Sequence, residues 1–244
     1  MFVAEIFNTC HGLPPLEAPP VEEDEGTQEE RMYRLWINSL GIDGVNVNDL
    51  YEEVKDGILL CKVVDKLQDG SINWKSVADP PRQNFDRNGN NGVAIKAMKD
   101  SLKFKMIGIG NADLTKGDKK LVLATVYQLC RFSYLKMIDN KSDKEIIAWA
   151  NETVGDKVAH IGDFKDKSLC TGVYLCHLCA GIEPRSVKFE YVTDGVSEED
   201  AKANALYVIS TARKLGCIIF CVWENIVEVN PKQMLIFFAA LMDA

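Results

Sequence analysis

The sequence predicts an all-α protein built from two related helical domains packed as a compact pair. Three observations carry this. Apolar residues recur at helical rather than strand spacing, and Gly and Pro punctuate the chain between those stretches. One set of landmarks also returns later in the chain. Trp36 is matched by Trp149, Gly57 by Gly172 and Asp118 by Asn230, at offsets of 113, 115 and 112 residues.

Residues 1–27 read as an acidic, Pro-containing leader. An apolar patch, F-V-A-E-I-F, precedes Pro14, Pro15, Pro19 and Pro20, and acids follow. Phe2, Ile6 and Phe7 are too apolar for a solvated tail and are expected to clamp onto one of the domains. A chain that opens this way is expected to be a fragment of something longer.

The first domain is expected over residues 28–138. Its opening helix, 28–40, puts Met32, Leu35, Trp36 and Leu40 on one face and ends at Gly41. Asp56 caps a largely buried helix closed by Asp69-Gly70, and a loop with Trp74 and Pro80-Pro81 follows. Residues 91–105 make a third helix with Val93, Ala97 and Leu102 inward and lysines outward. The turn G-I-G-N-A-D at 108–113 leads to the helix around which the chain is organised, Asp118 to Phe132. There Val122, Leu123, Val126, Leu129 and Cys130 share one side, and Lys120, Thr125, Gln128 and Arg131 share the other. Leu121, Ala124 and Phe132 lie among the polar residues, so even this outer face looks built to be covered.

The second domain, expected over 142–244, repeats the order: A-W-A-N-E-T-V-G, then T-G-V-Y-L-C-H-L-C-A-G-I, then A-K-A-N-A-L-Y-V-I-S-T-A-R-K-L-G. Asn230 caps its last helix, with Pro231 at the first position, where a missing N–H costs nothing. Thr125 has become Phe237 and Gln128 has become Ala240, so this copy reads as internal. Strand-like alternation is confined to Ile218–Trp223.

Composition narrows the function classes. Eight cysteines without a secretory signal point to reduced thiols in a cytoplasmic protein. No apolar run approaches the ~18 residues of a membrane span, so no membrane is expected. The net charge of −8 is an average: residues 1–30 hold eight acids and no Lys or Arg, and the other 214 residues carry 28 charges of each sign. Residues 94–145 hold 11 basic and 6 acidic side chains, a local surface suited to an acidic partner. Basic-aromatic interleaving is absent, so nucleic acid is not expected.

Catalytic motifs dissolve on inspection. V-A-I-K at 93–96 lies in a helical context without the other kinase motifs. G-I-G-N-A-D has Asp113 at the third glycine position of a dinucleotide loop. Cys176-His177-Leu178-Cys179 is half a zinc site in mid-helix, without a second pair. With only His11, His160 and His177 available, no acid–base constellation assembles. No enzyme, cofactor or metal is expected.

Several motifs carry a family resemblance across essentially the whole chain. They are the first-helix Trp, D-G-x-x-L in the second helix, the Trp/Pro loop, L-x-L-x-x-V-Y-Q-L in the last helix, and G-T-Q-E-E-R-M-Y-R-L-W-I-N-S-L-G. The chain resembles tandem calponin-homology domains of the fimbrin/plastin actin bundlers, specifically their second, C-terminal actin-binding domain. Tyr127 departs from the Trp many of these domains have there. The resemblance implies a monomeric, filamentous-actin-binding module of the cytoplasmic actin cytoskeleton. Contacts would come from helices 28–40, 118–136 and 143–154. It places them at Arg31, Arg34, Lys116, Lys119, Lys120, Leu121, Gln128, Arg131, Phe132, Lys136 and Lys144. The other reading is a calponin-homology pair that docks microtubules or acts as a signalling scaffold.

Overall fold

The computed structural model describes residues 27–244, all helices and loops without a strand among them. The leader and its expected clamp lie outside the described residues. The elements are α1 (Gln28–Ser39), α2 (Leu50–Glu53), α3 (Ile58–Leu67), α4 (Asn84–Asp100), α5 (Asn111–Lys116), α6 (Lys119–Met137), α7 (Asp143–Val154), α8 (Val173–Ile182), α9 (Glu198–Lys214), α10 (Trp223–Val227) and α11 (Pro231–Met242).

Helix starts follow from capping side chains. Thr27 Oγ1 accepts from the Glu30 N–H, Asp118 from Leu121 and Asn230 from Lys232 and Gln233. Ser142 and Glu145 form a reciprocal capping box at α7. Asp113, the residue that spoils the dinucleotide pattern, accepts from the Gly110 N–H at the start of α5. The expected turn therefore tightens into a short helix.

The repeat is structural as well as sequential. Asn38 exchanges two hydrogen bonds with the Val47 backbone, and Asn151 does the same with Ile161. Asn90, fully enclosed on α4, donates to the Asp56 and Ala78 carbonyls and accepts from the Ala78 N–H. Asn204 repeats this on α9 with the Thr171 and Thr193 carbonyls and the Thr193 N–H. Each Asn backs onto a glycine in left-handed conformation. A Cβ on Gly57 would lie 2.5 Å from the Asn91 nitrogen, and one on Gly172 would lie 2.9 Å from the Asn204 Cβ.

Three expectations need correction. The third helix runs Asn84–Asp100 rather than 91–105. Its Asn/Gly-rich first half is held by Asp86, which accepts from Arg82 and Gln83, and by the buried Asn90 and Asn91. It stops before Lys103, whose φ is 60°, so Leu102 is buried from the loop. Leu35, expected inward, is 44% exposed, while Tyr33 and Ile37 fill the α1 core face. Thr125, expected outward, is fully buried, its hydroxyl donating to the Leu121 carbonyl one turn back.

Helix α1 packs on α6, α3 on α4, α7 on α8, and α8 on α9. α11 packs on α7 and also on α6 of the first domain. Met234 through Leu241 are all buried, so the last helix is internal, as its composition implies. The alternation at 217–222 is real but unpaired: Cys217, Ile219 and Cys221 are buried and Ile218 is exposed along an extended segment. The Ile218 carbonyl accepts from the Tyr134 hydroxyl of α6.

Candidate interaction surface

Two faces of α6 have different fates. One side meets the second domain. Toward the other, Leu121, Ala124, Gln128 and Phe132 are half-buried and Lys120 and Lys136 exposed, while Lys119 is exposed in the first turn, about half a turn round the helix from Gln128. Phe132 is not loose: its ring meets Phe104 edge-on at 5.6 Å between centroids, a partner that the sequence pattern did not single out. Lys136 Nζ donates to the Leu67 carbonyl at the end of α3 and lies 6.0 Å from the Phe132 ring. Lys119 lies over Tyr51 at 5.2 Å. Lys116 ends α5 and is exposed. Lys116, Lys119, Lys120, Leu121, Gln128, Phe132 and Lys136 are thus all carried by α6 or the helix leading into it.

The remaining expected contacts separate from this set. Arg31 is exposed on α1, one turn from the uncovered Leu35. Arg34 is held within α1 by Glu30 at 3.5 Å, and Glu30 is itself buried and accepts from the Leu50 N–H. Glu30 therefore ties α1 to the start of α2, and Arg34 pairs with that same carboxylate. Arg131 pairs with Asp143 of α7 at 2.9 Å. Lys144 borders a cleft between the domains.

That cleft belongs to an interdomain seam that local sequence patterns give no means of finding. Glu29 Oε1 accepts from Lys232 Nζ at 2.9 Å and from the Tyr33 hydroxyl at 2.9 Å. Lys232 also lies 5.0 Å above the Tyr127 ring. Asn225 donates to Gln28 at 3.1 Å. Burial, and secondarily Glu29, push the Tyr33 phenol far above its usual range, so it stays a donor.

The motif fragments V-A-I-K and C-H-L-C are stretches of ordinary helix. Cys176 and Cys179 are buried in α8, and desolvation raises both thiols, Cys176 to about 12. Lys96 of V-A-I-K is exposed on α4. Among the described residues no group of three or more His, Cys, Asp and Glu could hold a metal ion, and no helix is long and apolar enough to cross a membrane.

The described residues thus form two helical repeats of one plan, the first with cations beside half-buried apolar side chains on α6. Comparison with known proteins gives the family: the calponin homology (CH) domain matches residues 27–134 and again 140–244, and the chain belongs to that family as a tandem pair. Its relatives include fimbrins and plastins. Fimbrin-5 of Arabidopsis thaliana is 39% identical over 99% of the chain and 37% of its own length. Plastin-3 of Bos taurus is 32% identical over 99% of the chain and 40% of its own length. The fold matches the crystal structure of the actin-crosslinking core of Schizosaccharomyces pombe fimbrin with a TM-score of 0.83 and 35% identity, covering 100% of this chain and 52% of that one. The chain spans about two fifths of the length of these full relatives.

Proposed function

We propose that the chain is a filamentous-actin-binding domain of a fimbrin- or plastin-type bundling protein, acting on the side of the filament without catalysis. Its place is the actin cytoskeleton of the cytoplasm, and its position that of the second, C-terminal actin-binding domain. Domains of 28–138 and 142–244 divide the work. The first presents the binding face and the second braces it.

One observation carries the assignment beyond the likeness to an actin-crosslinking core. The last helix of the second domain is buried from Gln233 to Leu241, whereas its counterpart α6 keeps an open face that joins cations to apolar side chains. Cations attract an acidic filament, and half-buried Leu121 and Phe132 supply the desolvated centre around which a polar rim can form. Lys116, Lys119, Lys120, Leu121, Gln128, Phe132 and Lys136 form the principal contact in this reading, with Arg31 flanking it on α1.

The test is co-sedimentation with actin filaments and, in parallel, with microtubules. Saturable pelleting with actin alone is expected, without bundling, because the described residues offer one such face. Binding to microtubules only, or to neither, would overturn the assignment.

A further inference from the structure

We propose that the interdomain cleft is the seat of the chain's own acidic leader, with Pro19–Val21 on its apolar floor and Glu22–Glu25 along its cationic rim. The inference does not depend on the actin assignment. The cleft has a volume of about 420 Å³ and is floored by Tyr127, Ile147, Phe164 and Leu235. Arg131, Lys144, Lys165 and Lys232 also line it. Arg131 and Lys232 already have carboxylate partners in Asp143 and Glu29. Lys144 and Lys165 are exposed and have no ion-pair partner among the described residues, although Asp163 also lines the cleft. Even with Asp143, Asp163 and Glu29 counted, the rim keeps one cation in excess.

The occupant is indicated by charge and by where the described chain begins. Residues 1–26 contain Glu5, Glu17, Glu22, Glu23, Asp24 and Glu25 and no Lys or Arg. Thr27 caps α1, and the next two residues are already fastened to the second domain, Gln28 by Asn225 and Glu29 by Lys232. The leader therefore joins the fold beside Lys232, one of the residues lining the cleft. An extended chain covers ~3.3 Å per residue, so Pro19, eight residues before Thr27, can lie up to ~26 Å away. That is enough to cross a cleft of this size. Pro14, Pro15, Pro19 and Pro20 restrict the leader's backbone, which lowers the entropy lost when it is laid down. Because Tyr127 and Arg131 come from the first domain and the rest of the lining from the second, a seated leader bridges the two. Lys144 then serves the leader and not a filament.

The experiment uses the whole chain. A nitroxide is attached through Val21→Cys, with Cys10 and Cys170 changed to Ser; the other six cysteines are buried. Broadening of the Ile147 and Leu235 methyl signals is expected at low salt, with recovery at 1 M salt, where the Debye length falls to ~3 Å. Lys144→Glu with Lys165→Glu should remove the broadening, and adding Glu22→Lys with Glu23→Lys should restore it. Unbroadened Ile147 and Leu235 signals at low salt, or broadening indifferent to these reversals, would overturn the proposal. So would broadening that arises only between separately labelled chains, since a second copy would then fill the cleft.

Discussion

Asn90 and Asn204 show how a single polar side chain can hold a helical domain's loops in place. Each is fully enclosed and ties two carbonyls and one N–H of distant loops to the central helix of its domain. Asn90→Ala would strand those three backbone groups away from water. Each stranded group costs more than its bond contributes, so a loss of ~2–4 kcal/mol is expected by urea unfolding. Asn204→Ala should behave alike, and a change below ~1 kcal/mol in either would remove the claim. His177 gives a pH dependence at the same scale. Burial, and then Lys157, hold its imidazole below the usual value. As pH falls, the unfolded chain takes up this proton before the folded one. The side chain's contribution is therefore full above an unfolded value of ~6.5 and is lost on acidification below it. His177→Gln should flatten stability between pH 7 and 5, read from thermal midpoints.

At the scale of the element, α6 was legible in the sequence because its cap, its length and its uninterrupted apolar pattern all agree. Helix α4 was legible only in its second half, because its first half, N-F-D-R-N-G-N-N-G, has the composition of a loop. Tertiary hydrogen bonds from Asn90 and Asn91 overrule weak helix propensity there. Thr125 misled for a related reason: its hydroxyl is satisfied within the helix, which lets a nominally polar residue enter the core. These corrections also choose the right variants. Arg131 is committed to Asp143, and Lys136 to the end of α3, so neither isolates the open face. Lys116 and Lys120 are exposed, so Lys116→Glu with Lys120→Glu should leave the fold within ~0.5 kcal/mol of the parent. Actin affinity should fall by roughly tenfold to a hundredfold, equivalent to ~1–3 kcal/mol, with a flatter salt dependence. Co-sedimentation across a salt series, with circular dichroism as the fold control, decides it; parent-like affinity at low salt would move the binding face off α6.

At the scale of the molecule, the two domains behave as one body only if their seam is energetically real. It joins residues about 200 positions apart, such as Glu29 and Lys232, and no local pattern announces such a pair. Lys232 stands in the second repeat where Lys120 stands in the first, and the structure gives it a carboxylate and an aromatic ring in the other domain. Lys232→Glu would therefore disturb the seam. It would set two carboxylates together at Glu29 and remove the cation over Tyr127, at a cost of ~1 kcal/mol for so partly exposed a pair. Deeper in the seam, α11 packs on α6 and α7 together, and the buried apolar residues of both domains form one continuous cluster. Burial of that extent favours unfolding in a single cooperative step. Calorimetry of the parent should show one transition whose van't Hoff and calorimetric enthalpies agree. Combining Lys232→Glu with Tyr134→Phe, which removes the donor to the Ile218 carbonyl, should lower the midpoint and broaden or split that transition. Two resolved transitions in the parent itself would mean that the domains fold independently and that the seam contributes little.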